Sequence, residues 1–86
     1  MTNTEKMASS EIFFTNPLEH DRLIVKTVGH AKVIIYNLQG QIQFPEINTS
    51  GDHYLEFDFK CKPSGMYILK VMNRRSMQVY RVMKPE

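Results

Sequence analysis

Ala31-Lys32-Val33-Ile34-Ile35-Tyr36-Asn37-Leu38 is the stretch that decides the fold class. Its middle, Val33 to Tyr36, is β-branched and aromatic, and side chains crowded at Cβ favour a pleated chain over a helical turn. Asn37-Leu38-Gln39-Gly40 follows as a tight hairpin turn, with Gly40 supplying the positive φ that such turns commonly need. Gln41-Ile42-Gln43-Phe44 reads as the returning strand. Pro45 to Asp52, ending in Asn48-Thr49-Ser50-Gly51, reads as a loop.

Downstream, His53 to Phe59 alternates, with Leu55, Phe57 and Phe59 facing one way and Glu56 and Asp58 the other. Lys62-Pro63-Ser64-Gly65 is a break. Met66 to Met72 alternates again, placing Tyr67, Leu69 and Val71 on one face and Met66, Ile68 and Lys70 on the other. Asn73-Arg74-Arg75-Ser76 turns the chain into a last strand, Met77 to Met83. Upstream, Arg22 to Thr27 is a strand with Leu23 and Val25 on one face, and Gly29-His30 turns the chain after it. Glu11 to Phe14 is a first strand, stopped by Asn16-Pro17 because proline cannot donate to a ladder. No window carries an apolar stripe of helical period, so no helix is expected. Seven short antiparallel strands, with turn signals every ~8–12 residues, predict an all-β fold, a single immunoglobulin-like sandwich over residues 11–86. Residues 1–10 are polar and without period and read as a flexible tail or linker. The face carrying Leu55, Phe57, Tyr67, Leu69 and Val71 is the expected core.

Composition bounds the function. Eighty-six residues make one small domain with a thin core. The single cysteine, Cys61, excludes an intrachain disulfide framework. No apolar run approaches the ~20 residues of a transmembrane helix. Met1 to Ser10 has no apolar h-region, so the chain as given carries no secretory signal peptide, and an export signal would have to lie on other sequence. The net charge of +2 hides an asymmetry. Up to Phe59 there are four Lys/Arg against eight Asp/Glu; from Lys60 there are seven Lys/Arg against Glu86 alone. A basic end on an acidic body suits electrostatic steering toward an anionic partner, and equally suits a solvated sheet edge.

Ser64-Gly65-Met66-Tyr67-Ile68-Leu69-Lys70-Val71, together with Val33 to Gln41 and Asn16-Pro17 upstream, resembles the type A C-terminal sorting domain of Bacteroidetes type IX secretion. The resemblance covers Ile12 to Lys84, with the motifs in order. It implies an immunoglobulin-like sandwich of seven strands fused behind exported cargo and recognised by the outer-membrane secretion machinery. It further implies that a sortase-like surface peptidase removes the domain in many members while anchoring the cargo at the cell surface. Asn16, Pro17, Gly40, Gly65 and Tyr67 are the residues that match the family pattern. Their physics stands apart from the resemblance: Gly65 ends a loop where a side chain is expected to clash, and Tyr67 buries a ring whose hydroxyl needs a partner. The chain departs from the pattern at Thr15, where a proline is usual, and at its end, Lys84-Pro85-Glu86. It starts a few residues before the domain, so it reads as an excised domain or a free-standing relative.

No chemistry is expected. His20-Asp21 and Asp52-His53 lack metal-ligand spacing and sit at turns, where such residues are common. Cys61 lies between Lys60 and Lys62 with no catalytic signature around it. Asn48-Thr49-Ser50 fits a glycosylation triplet that the bacterial family context discounts. The basic hairpin near Tyr80 lacks an RNP-like or stacking pattern, so nucleic acid is not an expected partner. No catalytic residue, cofactor or metal is assigned. Recognition is expected on the charged C-terminal hairpin, at Lys70, Arg74, Arg75, Arg81 and Lys84. The alternative reading is a carbohydrate- or protein-binding module, free-standing or attached to a surface enzyme, with Phe44 and Tyr80 as the candidate aromatic platform.

Overall fold

The computed structural model describes residues 3–6, 13–16 and 20–86 of the chain. Among these residues there are eight strands and no helix: β1 (Asn3–Lys6), β2 (Phe13–Asn16), β3 (Arg22–Thr27), β4 (Ala31–Asn37), β5 (Ile47–Thr49), β6 (His53–Asp58), β7 (Gly65–Met72) and β8 (Met77–Lys84). They form two four-stranded sheets, ordered β1-β2-β3-β6 and β5-β4-β7-β8, with every pair antiparallel.

The alternation read from the sequence becomes the division between inside and outside. Leu23 and Val25 from β3 and Phe57 from β6 meet Val33, Ile35, Tyr67, Leu69, Val71, Tyr80 and Val82 of the other sheet in one core cluster. Phe59, just past β6, is fully buried and sets its ring edge-on to Tyr67 at 4.9 Å between centroids. This contact joins the two sheets through large apolar surface, the dominant favourable term in folding. At the other end the Thr27 and Thr49 hydroxyls, one from each sheet, lie 3.4 Å apart, so the buried Thr27 is not left without a polar neighbour. The expected core holds at Phe57, Tyr67, Leu69 and Val71, while Leu55 is half-buried and packs against its margin.

Three stretches differ from the sequence reading. β1 lies within residues 1–10, the stretch read as a tail, and its register sets Thr4 opposite Thr15 and Asn3 opposite Asn16. Gln41 to Phe44 is not a regular strand: Ile42 makes an isolated bridge to Tyr36, and the Gln43 N–H donates to the Ile35 carbonyl at 2.8 Å. Within the expected loop, Ile47–Thr49 forms β5 and pairs with Ala31–Val33. Both segments therefore share one edge of β4. Pro45, which has no N–H for a ladder, interrupts that edge, and Phe44 turns inward against Phe57 and Phe59. Glu11, Ile12 and Pro17 lie outside the described residues.

Candidate functional site

The β7–β8 hairpin brings together most of the residues singled out by sequence, and its two ends are built differently. At the turn, the Asn73 N–H donates to the Ser76 carbonyl at 2.9 Å. The Asn73 side-chain oxygen accepts from the backbone N–H groups of Arg75 and Ser76, both at 2.8 Å. Such an Asx arrangement fixes the turn through its own side chain. It leaves Arg74 and Arg75 exposed, with Arg74 Nη2 donating to His30 Nε2 at 3.1 Å.

At the opposite end, Gly65 opens β7 with φ of 135°, a conformation that side-chain-bearing residues rarely adopt. The expected clash is corrected here: a Cβ on Gly65 would meet nothing within 4 Å, so the backbone angle and not crowding calls for glycine. Two residues on, the Tyr67 hydroxyl donates to the Pro63 carbonyl at 2.5 Å, four residues upstream, as in the tyrosine corner of related sandwiches. Burial pushes the Tyr67 and Tyr80 phenols above their ordinary pKa, because the charged form loses its water. Gly40, with φ of 84°, closes the β4 hairpin, its N–H donating to the Asn37 carbonyl at 3.0 Å. Asn16 ends β2.

Lys84 departs from the expectation of a recognition residue. It is 8% exposed, and its Nζ donates to the Phe59 carbonyl at 2.6 Å and also to the Lys62 carbonyl. The physical reason is parity: Tyr80, Val82 and Lys84 all point inward along β8, so the ammonium must find buried acceptors. Lys62 is also engaged, donating to the Gln43 carbonyl at 2.8 Å with its Nζ 4.9 Å from the Phe44 ring centroid. The basic end of the sequence thus divides in space. Lys62 and Lys84 tie loops to the sheet, while Lys70, Arg74, Arg75 and Arg81 stand on the outer side or the turn. Lys70 lies opposite Ile34 and Val79, its Nζ 5.9 Å from the Tyr36 ring centroid, and Arg81 lies opposite Ile68.

The aromatic platform expected at Phe44 and Tyr80 is not present. Tyr80 is 5% exposed, with its hydroxyl bonded to the Gln78 side chain, and Phe44 packs against the core. Tyr54 is 73% exposed and shares the outer face of β6 with Glu56 and Asp58. The histidine–aspartate pairs serve turns. Asp21 accepts the Phe59 N–H at its carbonyl at 2.8 Å, and His53 Nε2 lies 2.9 Å from the Ser50 carbonyl. Among the described residues no three His, Cys, Asp or Glu side chains converge as metal ligands, and Cys61 is exposed. No helix of the described residues is long and apolar enough to cross a membrane.

Comparison with known protein families matches residues 13–84 to the secretion system C-terminal sorting domain. No curated protein and no solved structure gives a significant match to the chain.

Proposed function

The chain belongs to the family of type IX secretion C-terminal sorting domains, and on that premise we propose that it is the non-catalytic signal that directs a fused cargo through the secretion machinery to the cell surface. The observation that carries this reading is the family match over residues 13–84, which takes in seven of the eight strands and both motif glycines. A sorting signal for type IX secretion, not a catalytic domain, is what that family implies. The strand order supports an immunoglobulin-like sandwich as the finer fold. Taking β2, β3 and β6 as strands A, B and E, and β4, β7 and β8 as C, F and G, matches the A-B-E and C-F-G pairings of that fold; β1 and β5 lie beside A and C, and strand D has no counterpart beside E among the described residues.

Within this reading, the machinery meets the side chains that the fold leaves outward at Lys70, Arg74, Arg75 and Arg81. Charges on solvated strand and turn positions steer a docking partner while adding little to stability. Removal of the domain by a sortase-like surface peptidase is the further step implied by the resemblance, and places the cargo at the outer-membrane surface or outside the cell. The test fuses the full 86-residue chain behind a signal peptide and a reporter in a host with type IX secretion. Reporter at the surface, against periplasmic reporter when the domain is omitted, is expected. Periplasmic reporter with the domain attached overturns the proposal and moves a protein-binding module ahead of it.

A further inference from the structure

β6 is an edge strand with one side in use. Among the described residues it pairs with β3 on that side and with no strand on the other, where the sandwich reading sets strand D. Hydrogen-bond parity identifies the groups on the open side. The Phe59 N–H donates to the Asp21 carbonyl, and the register of Asp58 on Arg22 continues from it, so Phe57 and Leu55 bond to β3. Tyr54, Glu56 and Asp58 then turn their N–H and C=O groups to the open edge. Their side chains are engaged elsewhere and leave that edge clear. Glu56 reaches back to Arg22 of β3 at 3.1 Å, Tyr54 has the Lys26 ammonium of β3 5.7 Å from its ring centroid, and Asp58 accepts the Lys60 N–H at 2.8 Å. Open edges are commonly blunted by lysine, proline or a bulge, and His53–Asp58 has none of these.

The core is thin beside the same edge. Among the described residues, the hydrophobics half-buried against the core cluster are Phe44, Ile47 and Leu55. Leu55 belongs to β6 and Ile47 to β5, while Phe44 packs on Phe57 of β6 at 5.3 Å between ring centroids. The Thr27–Thr49 contact sets β5 across from β3, so all three lie on the β5–β6 side of the sandwich.

We infer that the β6 edge is a binding site for an extended segment of a partner protein, which joins the sheet as a further strand. Main-chain bonds to Tyr54, Glu56 and Asp58 supply the affinity, and alternate side chains of the segment supply the specificity. Its inward residues are apolar and close over Leu55 and Phe44. Its outward residues are neutral or basic, because Glu56 and Asp58 occupy the adjoining face. A second copy of β6 is a poor occupant: the antiparallel register centred on Glu56 sets two glutamates directly opposite, and like charges so placed oppose pairing. The site follows from main-chain geometry and stands independently of the sorting reading.

The experiment follows amide hydrogen exchange by NMR in the full chain, with an alternating valine–lysine heptapeptide as the probe. In the free chain the Leu55 and Phe57 amides are expected to be protected, and those of Tyr54, Glu56 and Asp58 to exchange as fast as loop amides. Millimolar peptide is expected to slow these three about tenfold or more, as near-saturation of the site requires. Equal protection of all five amides in the free chain overturns the inference, since the edge is then already paired. No slowing with peptide overturns it too, as does equal slowing by a peptide of the same composition with its valines grouped at one end. Slowing that grows with protein concentration and needs no peptide would assign the edge to a second copy. Two variants locate the site. Glu56→Pro removes an edge N–H without touching a bond to β3, and Leu55→Lys sets a charge at the inner margin. Each, where it melts cooperatively, is expected to weaken peptide binding about tenfold or more, and wild-type binding by a folded variant overturns the site. If neither variant folds, the wild-type exchange pattern decides.

Discussion

On the inner side of the β7–β8 hairpin, Tyr67, Leu69, Val71, Tyr80 and Val82 are each at most 5% exposed; on its outer side, Met77, Val79 and Met83 are 38–56% exposed. The two sides interleave residue by residue along the same strands, so position in sequence does not separate them. Direction does. Lys70 and Lys84 show the consequence for one residue type. Lys70 points outward and lies over Tyr36, whereas Lys84 points inward and donates to two backbone carbonyls. The same charge serves a surface in one place and a loop closure in the other. Substitutions on the two sides are accordingly expected to move different observables, melting for the inner side and recognition for the outer.

The largest effect is expected at the inner side. Tyr67→Ala removes a ring packed on Phe59 and the hydroxyl bond to Pro63, and should cost about 3–5 kcal/mol, enough to unfold a domain of this size. A melting temperature equal to wild type would remove Tyr67 from the core. Next comes Lys84→Met. It keeps the length of the side chain but strips a charged donor from the Phe59 and Lys62 carbonyls, at a cost of about 2 kcal/mol. If Lys84→Met instead melts like wild type, Lys84 belongs with the outer cations and the comparison fails at its sharpest point.

These two residues also mark how far the sequence could be read. The alternation of β6, β7 and β8 was visible because half-buried antiparallel strands repeat every second residue. Lys84 shares the parity of Tyr80 and Val82, so the signal for its burial was present; its charge outweighed it in the reading. β5 was hidden for a different reason. Ile47-Asn48-Thr49 is too short to show a period and lies between Pro45 and Ser50-Gly51, where turn residues dominate. The returning stretch Gln41 to Phe44 has strand composition, yet ladder pairing there reaches a single bridge before Pro45. Gly65 was marked for the right position and the wrong cause, since backbone angle leaves no trace in composition. In the candidate site, the four outward cations were legible as a cluster. That Lys70 stands beside Val79 and Arg81 beside Ile68 needed the register of β7 on β8.

Smaller effects follow from the buried phenols. Because folding raises the pKa of Tyr67 and Tyr80, the folded state holds protons that the unfolded state releases once pH passes the ordinary phenol pKa of about 10. Their contribution is intact below that pH and is lost as pH rises through the folded-state values. Urea unfolding in alkaline buffer should show stability falling, with a shallower fall in Tyr67→Phe; an equal slope in that variant would assign the effect to other groups. The smallest change is expected at the turn. Arg74→Ala/Arg75→Ala leaves the Asn73 bonds intact and should not shift the melting temperature, while lowering export of the fusion. A clear drop in melting temperature would mean that the turn cations hold the fold, against the division drawn between the two sides.

The folded domain is proposed as the signal that type IX secretion reads. The most direct measurement places the wild-type reporter fusion in two isogenic strains, one with the machinery intact and one lacking the outer-membrane translocon, and quantifies reporter at the surface by protease accessibility on whole cells. Surface reporter is expected in the first strain and protected periplasmic reporter in the second. The same location in both strains would contradict it.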